Sequence, residues 1–305
     1  MNKPLISYLK QFSITLSNII IKLLVFAAFI GLLICCNNSK SGDYKLISYL
    51  DIKVDSLGKL PRNPYVVDLQ KNNKHLIVIG TLHSRDSSNQ MFNDIEKIFK
   101  SLNPEIAINE GGQIKKTYAD RNSAILKNGE LGLLKYLCDN HNINMVNGDM
   151  PDDKEFNELS KSYSKEEALL FFASERFVLP YTYWDEKGSL DSLYKSDFIE
   201  GYLEQCNIKL STEEKQFSYY KLLYKKYFGK EFNINNIASD DFSPIREKHH
   251  FCEVARKSKE FRDRFLLQQI EEQLKFHNKV IVVFGGWHVL AIEPALTQII
   301  NLTAE

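Results

Sequence analysis

The feature that most constrains this chain is one grammar used twice, near opposite ends. Residues 75–84 read HLIVIGTLHS and residues 280–296 read VIVVFGGWHVLAIEPAL. Each begins as an apolar run of strand length and breaks into Gly-x-x-His, at Gly80–His83 and at Gly285–His288. Short continuous apolar runs bounded by glycine are the pattern of strands covered on both faces. Between them, Met91, Phe92, Ile95, Ile98, Phe99 and Leu102 recur at helical spacing, and Asn103-Pro104 ends that helix. EIAINEGG is a second buried strand, ending in Glu110. Leu131, Leu134, Leu137 and Cys138 mark another amphipathic helix, followed by the strand INMVNGD. Alternating strands and helices predict parallel pairing.

The remaining stretches complete the expected architecture. YVVDLQ and HLIVIG flank KNNK, which reads as a β-hairpin. From Pro151 to about Ser243 the pattern is helical and rich in Tyr and Phe, an insertion of residues 151–243. FRDRFLLQQIEEQLKFH is a long helix leading into the strand KVIVVFG and a closing helix. The fold class expected is α/β: a mostly parallel sheet flanked by helices, with the helical insertion covering the rim at the strands' carboxyl ends.

The first 36 residues stand apart. They hold Lys3, Lys10 and Lys22 but no acid, and Leu23–Ile34 is an unbroken apolar run. That suits the apolar region of a signal peptide and is short for a membrane span. Cys35, Cys36 and the polar NNSKSGD follow. An apolar run ending in cysteine and a Ser/Gly/Asn-rich tether looks like a bacterial lipoprotein signal, with Cys36 as the lipidated residue. The expected organisation is a signal over 1–36, a tether over 37–60 and one domain over 61–305. The membrane would be reached through the lipid, in the cell envelope, facing the periplasm or the exterior. The competing reading is an uncleaved anchor, Ile19–Cys36.

Charge and cysteine usage narrow the function. Basic and acidic residues balance at 39 each, so no basic excess points to nucleic acid. Cys138, Cys206 and Cys252 are widely spaced and in no CxxC arrangement, which argues against a disulfide scaffold or a zinc knuckle.

The chemistry gathers at strand ends. Ligands of parallel sheets collect outside the carboxyl ends of the strands. His83, Glu110, Asp149 and His288 each stand at or just past such an end. Two imidazoles and a carboxylate are donors preferred by Zn, Mn, Co or Fe(II). A divalent ion held by His83, Glu110 and His288, with an open position, would activate water or polarise a carbonyl. Glu110 is also the candidate general base. Asp149 reads as a substrate contact or as a cap of the following segment, and Trp287 as packing or as cleft lining that meets substrate. The other histidines fall in turns or helices and read as surface residues, with His249-His250 the one pair to check.

GTLH, NEGG, FRDRFLLQQI and FGGWHVLAIEPAL, in that order and spacing, resemble the Tiki/TraB/GumN family, over roughly residues 64–150 and 246–300. That family is similar in fold to erythromycin esterases and to haem-binding ChaN-like proteins. The resemblance implies one α/β domain of two related halves, each supplying a Gly-x-x-His. Animal Tiki members are divalent-metal-dependent proteases, TraB-like members are linked to shutting down peptide pheromones, and GumN members to polysaccharide clusters. By position, His83 and His288 match the motif histidines and Glu110 the acidic residue. Arg262 matches the arginine of the family's Arg-Asp/Asn helix motif, as electrostatic stabiliser or substrate clamp. Gly286 stands where many members carry Ala or Thr.

Three functions are consistent with these residues. One is a metal-dependent hydrolase acting on a peptide or ester bond. The second is a binding lipoprotein that holds haem or a metal at the same rim without turnover. Tyr181, Tyr183 and Trp184 suit either one, lining a peptide groove in the hydrolase or covering a flat ligand in the binder. The third is a degenerate member kept for protein contacts.

Overall fold

The last strand of the chain is the middle strand of the sheet. A computed structural model describes residues 44–55, 59–112, 114–184 and 188–304. The signal segment, Cys36 and the alternative anchor Ile19–Cys36 lie outside the described residues. Strands β1 (Tyr65–Lys71), β2 (Lys74–Thr81), β3 (Ile106–Asn109), β4 (Asn144–Asn147) and β5 (Lys279–Gly285) form one sheet in the order β1-β2-β5-β3-β4. β5 pairs in parallel with β2 on one side and β3 on the other, and β3 pairs in parallel with β4.

The sheet is mixed, which corrects the expectation of a mostly parallel one. β1 and β2 are antiparallel, in register from Tyr65 opposite Gly80 to Lys71 opposite Lys74. Only Asn72 and Asn73 connect them, and a two-residue link can close a hairpin but cannot carry the crossover that parallel strands need. Asn72 takes the turn at φ 52°, a left-handed conformation that asparagine tolerates.

Helices cover both faces, and the strands show why. Successive side chains point to opposite faces. Leu76, Val78, Val280, Val282 and Phe284 pack into one core with the long helix and the closing helix. Ile77, Ile79, Ile281 and Val283 pack into the other, with helices α1 (Gln90–Leu102) and α2 (Arg121–His141). Helix α1 buries Met91, Phe92, Ile95, Phe99 and Leu102, the stripe its sequence predicts, and stops at Asn103 in the left-handed region.

The segment after β4 is helical. It includes α3 (Asp152–Ser162), α4 (Lys165–Ala173), a π-helical turn over Ser174–Val178 and α5 (Phe217–Phe228). Its aromatic side chains form their own core, with Phe171, Phe172, Tyr194, Phe198, Tyr220 and Tyr224 buried. Helix α6 (His250–Phe276) joins the two cores. Its first turns, with Phe251, Val254 and Ala255, belong to the aromatic core, while Leu266, Leu267, Ile270 and Leu274 belong to the sheet core. At 1.5 Å per residue the helix is about 40 Å long, enough to run past the sheet into the helical segment. Ser258, Arg262 and Asp263, all buried, fall at the junction. Helix α7 (Gly286–Thr303) closes the chain.

The stretch expected as tether is packed from Tyr44 onward. Tyr44, Tyr49, Ile52 and Leu60 are buried, and the Ile47 amide donates to the Ala291 carbonyl of α7 at 2.8 Å. Among the described residues no helix is long and apolar enough to cross a membrane. Cys138, Cys206 and Cys252 are free thiols.

Candidate active site

The two Gly-x-x-His motifs stand side by side because β2 and β5 are parallel neighbours. Gly80 lies opposite Phe284 and Thr81 opposite Gly285, so the chain leaves both strands at one level. A Cβ on Gly80 would stand 2.9 Å from the Cα of Gly286. The motif on one strand therefore needs glycine to admit the motif on the next. His83, Glu110 and His288 line one cavity of about 230 Å³, together with Leu82, Trp287 and Lys259.

Each histidine is held by a carboxylate from a different helix. His83 Nδ1 pairs with Glu130 Oε1 of α2. The His83 ring is 67% exposed while the Glu130 side chain is 3% exposed. Glu130 reaches that place because α2 kinks at Asn128 and Gly129. Gly129 has φ 56°, and a Cβ there would meet the Ser84 carbonyl oxygen at 2.6 Å, so glycine lets the loop after His83 pass close to the helix. The hydrogen bond to Glu130 raises the His83 pKa by more than burial lowers it.

His288 lies at the start of α7 and is almost fully enclosed. Its Nδ1 is 2.5 Å from Asp263 Oδ1, with side-chain exposures of 5% and 0%. The Tyr49 hydroxyl donates to Asp263 Oδ2 at 3.1 Å and is 3.1 Å from His288 Nδ1. Burial, followed by the charges of Arg262, Lys259 and His83, drives the His288 pKa well below the usual imidazole range. Burial likewise pushes the Asp263 carboxyl well above its usual range, against the hydrogen bond from Tyr49. The two histidines thus differ: burial works against a proton on His288, while Glu130 favours one on His83.

Glu110 is clamped from two sides. Gly285 N–H donates to its Oε2 at 2.6 Å and Arg262 Nη2 to its Oε1 at 2.9 Å. The loop that carries it is tied by asparagines at strand ends. Asn109 Nδ2 donates to the carbonyls of Glu110 and Gly112. Asn147 Oδ1 accepts from the Gly112 and Asp149 amides.

Asp149 and Arg262 meet each other at the edge of the site. Arg262 Nε donates to Asp149 Oδ1 at 2.7 Å and Nη2 to Asp149 Oδ2 at 2.9 Å. Arg262 thereby ties two acids from neighbouring loops. Trp287 lines the cavity beside His288. Lys259, one turn before Arg262, also lines it and donates to Glu175 Oε1 of the π-helical turn at 3.3 Å.

The sequence-level candidates divide accordingly. His83, Glu110, His288 and Trp287 share the cavity; the buried Arg262 pairs with the buried Glu110 and with the half-buried Asp149. His249 and His250 belong to the start of α6, where His249 stacks on Phe228 and His250 bonds Glu167. Tyr183 lines a separate groove of about 570 Å³ with Tyr181 and Asp240. Four residues emerge only in three dimensions: Glu130, Asp263, Tyr49 and Lys259. Asp263 reads in sequence as one more charge beside Arg262 and Arg264, and Tyr49 as part of a tether. The one sequence signal for Glu130 is the glycine before it inside a helix.

The arrangement suits an ion chemically. A histidine whose Nδ1 is held by a carboxylate has its tautomer and ring orientation set, with Nε2 left for a metal. Both histidines have that support and a carboxylate lies beside them, which matches the donor chemistry of Zn, Mn, Co or Fe(II). Among the described residues no three His, Cys, Asp or Glu side chains are already drawn together as a ligand set. Comparison of the chain with protein-family models, curated proteins and solved structures finds no match.

Proposed function

We propose that this chain is a divalent-metal-dependent hydrolase of the bacterial cell envelope, acting on a peptide or ester bond. The observation that carries the reading is the paired support of His83 by Glu130 and His288 by Asp263 around one cavity that also holds Glu110. His83, Glu110 and His288 would hold the ion. When bound, such an ion polarises the scissile carbonyl and lowers the pKa of water. Glu110, held by Arg262 and the Gly285 amide, is oriented to bind the ion or to take a proton from water. Lys259 supplies positive charge at the cavity wall, where negative charge would develop on a substrate oxygen. Leu82 and Trp287 offer an apolar seat for one side chain or acyl group. A volume of about 230 Å³ suits that occupant better than a macrocycle such as haem.

Two broader readings belong with this proposal. The repeated Gly-x-x-His on neighbouring parallel strands supports two related halves and a place in the Tiki/TraB/GumN family. The Glu175–Lys259 pair supports a helical segment that caps the rim and selects substrate. Anchoring through lipid on Cys36 supplies the location.

Metal content of the purified full chain, measured beside hydrolysis of a peptide and ester panel, tests the reading. Stoichiometric metal that is lost in both His83→Ala and His288→Ala, together with hydrolysis that fails in both, is the expected result. Hydrolysis that persists in both variants overturns it. Glu110→Gln separates roles: retained metal with lost turnover makes Glu110 the base, and lost metal makes it a ligand.

A further inference from the structure

Residues 44–55 contribute a side chain to the site from outside the strand–helix core. They cross the start of α7, pinned by the Ile47–Ala291 hydrogen bond and by a cluster of Tyr49, Ile52, Leu60, Leu290 and Ala291. Tyr49 is 5% exposed. Its ring stands edge-on to His288, with centroids 6.2 Å apart and planes at 81°. On one side it lines the histidine cavity; on the other it lines a second cavity of about 410 Å³, which Asp263 also lines.

The hydrogen bonds around Asp263 define what the hydroxyl does. Two groups converge on the buried Asp263 carboxyl, with His288 Nδ1 2.5 Å from Oδ1 and the Tyr49 hydroxyl donating to Oδ2. A phenol has a single proton to give. With that proton committed to Oδ2, the 3.1 Å approach of the Tyr49 oxygen to His288 Nδ1 is favourable when Nδ1 carries hydrogen and shares it. That tautomer leaves the lone pair on Nε2. Among the described residues Nε2 of His288 takes no protein partner, and the residue lines the cavity.

We propose that Tyr49 is a positioning residue that sets the tautomer of His288 through Asp263, so that the amino-terminal strap completes the site. The inference rests on His288 acting there through Nε2. Without the hydroxyl, Asp263 loses its second donor while remaining fully buried, which is costly for a carboxylate. The Nδ1 proton then passes to the carboxylate while Nε2 takes up a proton from solvent in the cavity, so the neutral ring is left as the Nε2–H tautomer and can no longer ligate or accept a proton through that nitrogen.

The test is nitrogen NMR of the metal-free full chain labelled with ¹⁵N in its histidine rings, with His288 assigned by difference against His288→Gln. The wild type is expected to show a pyridine-type Nε2 and a pyrrole-type Nδ1. Tyr49→Phe keeps the ring and its burial, and is expected to move the Nε2 resonance toward the pyrrole-type position. Asp263→Asn, which leaves the strap in place, is expected to give the Nε2–H form outright, because an amide can donate to Nδ1. A His288 spectrum unchanged in Tyr49→Phe, or a wild type already in the Nε2–H form, overturns the proposal. Should Tyr49→Phe fail to fold, an unchanged spectrum in Asp263→Asn overturns it as well. None of these readouts requires turnover, so they stand or fall separately from the hydrolase reading.

Discussion

Gly80 and Gly286 are in contact across two neighbouring strands, so closely that a methyl group on Gly80 would stand 2.9 Å from the Gly286 Cα and 3.1 Å from Val289 Cβ. The two histidine motifs converge through this contact: Gly80 opens the first, and Gly286 follows the glycine that opens the second. Gly80→Ala should therefore force β2 and α7 apart. Overpacking of this kind typically costs about 1–3 kcal/mol. Urea unfolding measures it; a midpoint equal to that of the wild type would show that the contact is slack.

Arg262 ties Glu110 and Asp149 from a nearly enclosed position. Arg262→Met leaves two acids facing each other without a counter-charge, and breaking a buried pair in this way costs about 3–5 kcal/mol. Arg262→Lys should rescue only part, because an ammonium cannot present the fork that meets both acids. A loss below about 1 kcal/mol in Arg262→Met, a value typical of exposed pairs, would place the arginine among ordinary surface residues.

Glu175 links the helical segment to Lys259 and gives the fold an acid-sensitive joint. Burial raises its pKa, but the charges of Lys259, Arg176 and Arg262 outweigh that and hold it at about 2, below the usual 4.5. A pKa depressed on folding adds stability that is present above the unfolded value and is lost as pH falls through the folded one. The contribution is thus complete above about pH 5, where a carboxylate of ordinary pKa is ionised, and fades toward pH 2. It amounts to on the order of 2 kcal/mol after allowance for solvent screening. Glu175→Gln should flatten stability over that window. Equal acid sensitivity in variant and wild type would remove Glu175 from the account.

Lipid on Cys36 is testable independently of chemistry. A fatty-acid analogue should label the wild type and not Cys36→Ser, and the variant should leave the membrane fraction. Labelling and tethering unchanged by the substitution would end the reading of Cys36 as the lipidated residue, and tethering without label in the wild type would favour the uncleaved anchor.

Much of the fold is visible in the order of residues. The apolar stripe of α1, the strand ending at Glu110 and the hairpin at Asn72-Asn73 each follow from a local period or a turn residue. The same hairpin makes the sheet mixed. Parallel pairing follows from strand–helix alternation elsewhere, but an edge strand joined by two residues has no length for a crossover. Of the site, the residues at strand ends are readable because parallel strands bring their carboxyl ends to one rim, however far apart they lie in the chain.

The partners of those residues are a different matter. Sequence by itself determined that two Gly-x-x-His motifs end buried strands, that an acid ends a third, and that helices fill the interval; periodicity and strand ends are local properties of the chain. Only the tertiary structure decided that Glu130 holds His83, that Asp263 and Tyr49 hold His288, and that Arg262 bonds Glu110 and Asp149. Those pairs are separated by 47 residues for Glu130 and His83 and by 239 for Tyr49 and His288. A helical charge such as Asp263 has the same neighbours in sequence whether it faces water or an imidazole. Which it faces depends on the direction of α6 across the sheet, and that is set by long-range packing rather than by any local period.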